Sequence, residues 1–196
     1  MYIAIGVIAL IVASSLLSVA LYNGLVTQRN RYKNAYAQID VQLKRRYDLI
    51  PNLVEAVRGY LKHEAGTLEA VIAARNSAFS AAQRAAEHTG DPEALKSLVS
   101  AETALQSGLS RVLALSESYP ELKGSQTVRD LTEELTTTEN RVAFARQAYN
   151  DSVTSYNTAR ETFPAVLLAN SLGFETAGLL EAVNDNAERQ APRIAL

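Results

Sequence analysis

The sequence predicts an all-α protein: an N-terminal transmembrane helix continuing into a long antiparallel helical bundle, with three long helices plus a short C-terminal helix. Three observations carry this prediction. The first 22 residues, Met1 to Tyr22, contain no charged side chain, and the first charge to follow is Arg29. Gly and Pro are scarce, at nine and five, and no strand-like run is sustained outside the apolar start. Three long stretches then repeat apolar residues at 3-4 spacing, the period of one helix face.

The leading run spans roughly 33 Å as a helix, enough to cross a hydrocarbon core of about 30 Å. A cleaved secretory signal has a cationic stretch before a shorter apolar core. Here no Lys or Arg precedes the run, and only Ser18-Val19-Ala20 resembles a cleavage site. The chain has no cysteine, so no thiol is present to accept a lipid, and a reducing compartment suits it. Arg29, Arg31, Lys33, Lys44, Arg45 and Arg46 all follow the span. Their placement predicts an N-terminus outside and the bulk of the chain in the cytoplasm.

The first amphipathic stretch carries Tyr22, Leu25, Tyr32, Tyr36, Ile39 and Leu43, and its stripe continues through Ile50, Leu53, Val57, Tyr60, Leu68, Val71 and Ile72. Pro51 falls inside it, removing one backbone hydrogen bond and crowding the carbonyl of Tyr47. The stripe keeps phase across Pro51, which predicts a kinked helix rather than two helices. His88-Thr89-Gly90 closes it. Asp91-Pro92 opens the second helix, with Asp as N-cap and Pro at the first helical position. Leu95, Leu98, Val99, Leu105, Leu109, Val112 and Leu113 form its apolar face. It ends near Glu117, since Tyr119 precedes a proline. The third starts at Ser125 or Thr127 and runs through Val128, Leu131, Leu135, Thr138, Val142, Ala145, Tyr149, Val153 and Tyr156 to Phe163-Pro164. Repeats near 3.5 residues predict helices packed side by side. Ala165 to Phe174 is too short to span a bilayer; it docks on the bundle, lies on the membrane surface or binds a partner. Asn184 to Leu196 is polar and expected to be disordered. The domains are therefore 1–22, an anchor; 23–164, the bundle; and 165–196, a short apolar segment and tail.

Charge is uneven. Residues 23–62 hold eight Lys and Arg against three Asp and Glu, whereas residues 63–196 hold eleven against eighteen. The basic end adjoins the membrane, where anionic headgroups attract it. The acidic remainder argues against nucleic-acid binding. Catalytic constellations are missing. There are two histidines and no cysteine, so neither a structural zinc site nor a cysteine nucleophile can be assembled. Neither His63 nor His88 has the Glu three residues earlier that a helical di-metal site uses, and His63-Glu64 shares no helix face. No cofactor is expected, and no enzymatic activity.

The residues that punctuate the stripes, together with the proline of the first, are the candidate structural or interaction sites: Arg46, Tyr47, Asp48, Pro51 and Asn52 in the first stretch, and Glu139, Asn140, Arg146, Tyr149, Asn150 and Asn157 in the third. Buried Asn and ion pairs fix the register of a uniform apolar seam; alternatively these side chains face a partner. Tyr-Asn occurs at 22–23, 149–150 and 156–157, and a seam tyrosine buries its ring while its hydroxyl seeks an acceptor.

Arg46-Tyr47-Asp48-Leu49-Ile50-Pro51-Asn52-Leu53-Val54, Gly59-Tyr60 with His63-Glu64, and Arg75-Asn76 resemble the LemA family of bacterial membrane proteins. So do Glu117-Ser118-Tyr119-Pro120-Glu121-Leu122-Lys123, Thr138-Glu139-Asn140-Arg141 with Ala145-Arg146, Tyr149-Asn150-Asp151, Tyr156-Asn157-Thr158 and Phe163-Pro164. The resemblance covers Leu21 to Phe174. It implies an N-out, single-span protein with a cytoplasmic antiparallel helical domain, expected in the bacterial inner membrane, and it implies no known enzymatic activity, cofactor or settled molecular role. The chain departs from the family pattern after Phe174, where Phe174-Glu175 and Leu180-Glu181 replace an aromatic-acidic ending. The expected role is a non-enzymatic, membrane-anchored scaffold that self-associates or holds partner membrane proteins, with the Ala-rich stretch Ala65 to Ala86 as a close-approach face for a homo-oligomer. The alternatives are an anionic-lipid-binding or membrane-remodelling protein, and an accessory subunit of a membrane enzyme such as a protease.

Overall fold

The structure, a computed structural model, describes residues 1–180 apart from the side chains of residues 62, 117 and 123. Glu181 and the polar ending Asn184 to Leu196 lie outside them. The described residues are helical with no strand. The helices are α1 (Tyr2–Arg58), α2 (Ala65–Glu87), α3 (Pro92–Ser118), the short α4 (Pro120–Gly124), α5 (Gln126–Glu161) and the single turn α6 (Val166–Ala169).

α1 has two characters on one unbroken backbone. Its N-terminal part has a mean hydropathy of 2.6 over 18 residues with none of that window buried, and it is long and apolar enough to cross a membrane. From Leu25 onward it buries a seam of Leu25, Tyr32, Tyr36, Ile39, Leu43, Arg46, Ile50, Leu53 and Val57. α5 lies along this seam. Tyr32 meets Tyr156, Tyr36 meets Tyr149 and Arg45 pairs with Glu134, so contacts that climb α1 descend α5. α2 covers another side of α1, and α3 packs on α2.

The predicted count of three long helices is corrected to four among the described residues. Pro51 lies inside α1, as its in-phase stripe predicts, but the chain leaves helix at Gly59 and turns back through the 3-10 turn Lys62–Glu64 into α2. The sequence hid this turn because Val57 and Leu68 are eleven residues apart, close to three whole helical turns. The stripe therefore stayed in phase although the chain had reversed. Tyr60, expected on the seam, is exposed, and Leu61 is buried instead.

Local signals placed the other boundaries well. The Asp91 carboxylate accepts the Ala94 N–H at 2.8 Å with Pro92 beginning α3, and Tyr119 is extended before Pro120. Ser125, not Thr127, caps α5, its hydroxyl accepting from the Val128 N–H at 3.5 Å. Gly90 turns the chain between α2 and α3 at φ +95°, a conformation other residues rarely adopt. Part of the Ala-rich stretch is used within this chain: Ala78, Ala81, Ala82 and Ala85 are buried in its own core, so these four offer no surface to a second copy, whereas Ala65, Ala70 and Ala73 are exposed.

Candidate functional site

Arg46 stands at a seam position of α1, between Leu43 and Ile50, where an apolar side chain would otherwise pack. It is 5% exposed and is held by two groups of α3. Its Nη1 donates to Glu102 Oε2 at 3.0 Å, and its Nη2 donates to Gln106 Oε1. The neighbouring Tyr47 Oη lies 2.5 Å from the other Glu102 oxygen and 3.3 Å from the Ala78 carbonyl. Burial pushes the Glu102 carboxyl above its ordinary range, while Arg46 and the Tyr47 hydrogen bond pull the other way. Burial, reinforced by the Glu102 charge, drives Tyr47 well above an ordinary tyrosine, so it stays protonated and donates. One side of the cluster opens on a cavity of about 340 Å³ lined by Ile39, Leu43, Glu139, Arg146 and Leu180 among others.

The Tyr47–Asn52 segment lies inside α1 and is tied to α2 through Arg75. Pro51 cannot donate to the Tyr47 carbonyl four residues back, and Arg75 of α2 supplies the missing donor, its Nε lying 3.0 Å from that oxygen. The Arg75 guanidinium also stacks over the rings of Phe79 at 5.1 Å and Tyr47 at 5.9 Å. Replacing Arg75 by Ala should cost about 1–3 kcal/mol, the penalty of a buried carbonyl left without a donor. In a Pro51→Ala background, where the helix supplies its own N–H, the loss should shrink. Chemical denaturation of the four-member cycle checks this, and equal losses in both backgrounds would refute it.

The third constellation holds the C-terminal segment. Residues 174–180 run without helix along α5, and the two Tyr-Asn pairs of α5 grip their main chain. Asn157 is reciprocal with Ala177, accepting its N–H at 3.0 Å and donating to its carbonyl at 2.9 Å. Asn150 repeats this with Leu180 at 2.9 and 3.2 Å. The hydroxyls of Tyr149 and Tyr156 donate to the carbonyls of Gly178 and Glu175, each at 2.8 Å, and Arg160 Nε donates to that of Phe174 at 2.9 Å. Pairs seven residues apart face the same side of a helix, which is why one strap can meet both. Gly178 allows a close approach, since a Cβ there would lie a tight 3.1 Å from Pro92 Cα, and its N–H reaches the Gly90 carbonyl at 2.8 Å.

The eleven candidate residues thus divide by place. Arg46 and Tyr47 sit at the junction of α1 with α2 and α3, Pro51 is exposed on α1 one turn beyond Tyr47, and Tyr149, Asn150 and Asn157 hold the strap. Glu139 and Arg146 border the cavity. Asp48, Asn52 and Asn140 are on the surface, Asp48 lying 3.8 Å from Arg75. Glu102, Gln106, Arg160 and Gly178 were not singled out from sequence, and Arg75 entered only within a family motif. Glu102 carried a legible signal: Leu98, Glu102, Leu105 and Leu109 recur at 4-3-4 spacing, so its charge falls on the buried seam of α3. Among the described residues no group of three or more His, Cys, Asp or Glu is placed to hold a metal.

Comparison with known proteins agrees with the motifs and extends beyond them. The LemA family matches residues 35–196, past Phe174 to the end of the chain. The magnetosome protein MamQ of Magnetospirillum gryphiswaldense is 26% identical over 169 residues, which cover 79% of this chain and 62% of that protein. Magnetosome proteins MamQ 1 and MamQ 2 of Paramagnetospirillum magneticum are each 26% identical over 171 residues, covering 80% of this chain and 63% of theirs. The chain therefore spans about three fifths of the length of these curated relatives. With most of its length matched by one family, and with that family's polar motifs gathered at the α1 junction and the strap, the chain belongs to the LemA family.

Proposed function

We propose that this protein is a non-enzymatic helical scaffold, anchored in the bacterial inner membrane by the first part of α1, with an antiparallel cytoplasmic bundle that self-associates or holds partner membrane proteins. The observation that carries the reading is the continuity of α1 from Tyr2 to Arg58. An apolar span and the central rod of the bundle share one backbone, so the bundle is mounted on the membrane without a flexible linker. The opposed order of the α1–α5 contacts supports the antiparallel arrangement. The polar clusters support assembly rather than turnover, because Arg46, Tyr47 and Glu102 are each committed to one another or to the fold. The cations after the span support an N-terminus outside.

The alternative reading, binding of anionic lipid by residues 29–62, draws less support. Arg46 is buried, Arg29 lies over the Phe174 ring at 5.1 Å, and Lys44, Arg45 and Arg58 are ion-paired. Arg31 and Lys33 are the exposed cations near the span.

Light scattering of detergent-purified protein at several concentrations, together with crosslinking in native membranes, tests the scaffold. Oligomers or a recurrent crosslinked neighbour are expected. A strict monomer with no neighbour would overturn it.

A further inference from the structure

Two segments without charge meet at one end of the bundle. One is the start of α1, apolar to Tyr22 and without charge until Arg29; the other is Thr162 to Phe174, bracketed by Glu161 and Glu175. The second forms an elbow between α5 and the strap, containing α6. Its inner face docks on the bundle: Ala165, Ala169 and Phe174 are buried, and the Phe174 ring packs edge-on to that of Tyr22 at 5.5 Å. Its outer face carries Phe163 and Leu167, which are 75% and 70% exposed, with Val166 and Leu172 also exposed.

We infer that this elbow is a second membrane contact, its outer face entering the lipid of the leaflet from which α1 emerges. The occupant follows from position. Phe174 touches Tyr22, where the apolar run ends, and lies under the guanidinium of Arg29, the first charge of the chain, so the elbow stands at the level where α1 passes from apolar to charged sequence. Large apolar side chains without charge are what the boundary between headgroups and acyl chains accepts. The inference rests on the anchor reading of α1, and the test separates the two.

Because the natural chain has no cysteine, single reporters can be placed freely. Val7→Cys in the span, Leu167→Cys and Phe163→Cys on the elbow, and Phe144→Cys on α5 are each labelled with an environment-sensitive fluorophore. The full chain is then reconstituted in phosphatidylcholine vesicles with or without nitroxide-bearing acyl chains. Phe144 is 75% exposed and lies roughly 30 Å from Tyr22 along the α1 axis, so it is the aqueous control. Lipid quenching is expected at Val7, Leu167 and Phe163, and none at Phe144. Quenching at Val7 alone overturns the elbow contact and leaves the anchor intact; quenching nowhere overturns both. A blue-shifted but unquenched Leu167 label would mean a protein neighbour and would overturn the proposal. So would equal quenching at Phe144, since contact would then not be confined to the elbow.

Discussion

Glu102→Ala is expected to lower stability by about 3 kcal/mol, the low end for breaking a buried ion pair, since the adjoining cavity admits some water. For a chain of this size that is a fall in Tm of roughly 6–12 °C. The substitution leaves a guanidinium that cannot lose its proton with only the neutral Gln106 as acceptor, and it removes the main acceptor of Tyr47. Arg46→Ala should cost less, because the carboxyl left behind, already raised by burial, can neutralise itself by taking up a proton. The pH dependence has a definite sign. A carboxyl raised on folding binds its proton more tightly in the folded chain, so its contribution falls as pH rises from the ordinary value of 4.5 through the raised one. Thermal melts followed by circular dichroism check both. An alanine variant within 1 kcal/mol of the parent, or a larger loss for Arg46→Ala, would refute the assigned roles.

The second large effect is expected from Asn150→Ala combined with Asn157→Ala. Together these side chains make four hydrogen bonds to the main chain of Ala177 and Leu180. At about 1 kcal/mol each the ceiling is about 4 kcal/mol. Release of the strap to water limits the observed loss to about 2–3 kcal/mol, because the freed groups are then solvated. Hydrogen exchange is the sharper measurement. The Ala177 and Leu180 amides should lose protection while those around Ile39 and Ile50, fully buried on α1, keep theirs. Unchanged protection at 177 and 180 would show that the strap is held by packing alone.

How much of this was legible depended on whether a signal was local. The Asp91 cap, the Tyr119-Pro120 stop and the Ser125 start each reside in a few adjacent residues, and periodicity alone marked the seams. Pro51 was also readable, including the carbonyl it would leave without a donor. The donor was not, because Arg75 lies across a turn that an eleven-residue spacing concealed. The same limit governs the strap. Tyr149-Asn150 and Tyr156-Asn157 announced hydroxyls and amides in want of partners, but those partners are backbone atoms 19–30 residues onward, and main-chain atoms leave no mark in composition. Arg46 could be flagged as a charge on a seam, and Glu102 met the same criterion on the opposite helix.

The continuity of α1 carries a mechanical consequence. From Tyr22 to Arg58 the rod extends roughly 54 Å beyond the apolar run, and membrane-crossing helices lean by about 20° on average. A lean of that size would swing the far tip of a straight rod sideways by roughly 18 Å. Mismatch with a thinner bilayer is one cause of lean and interfacial anchors another, so an elbow resting on the lipid would act as an outrigger, limiting how far the distal turn at Gly59 swings and choosing the direction of fall.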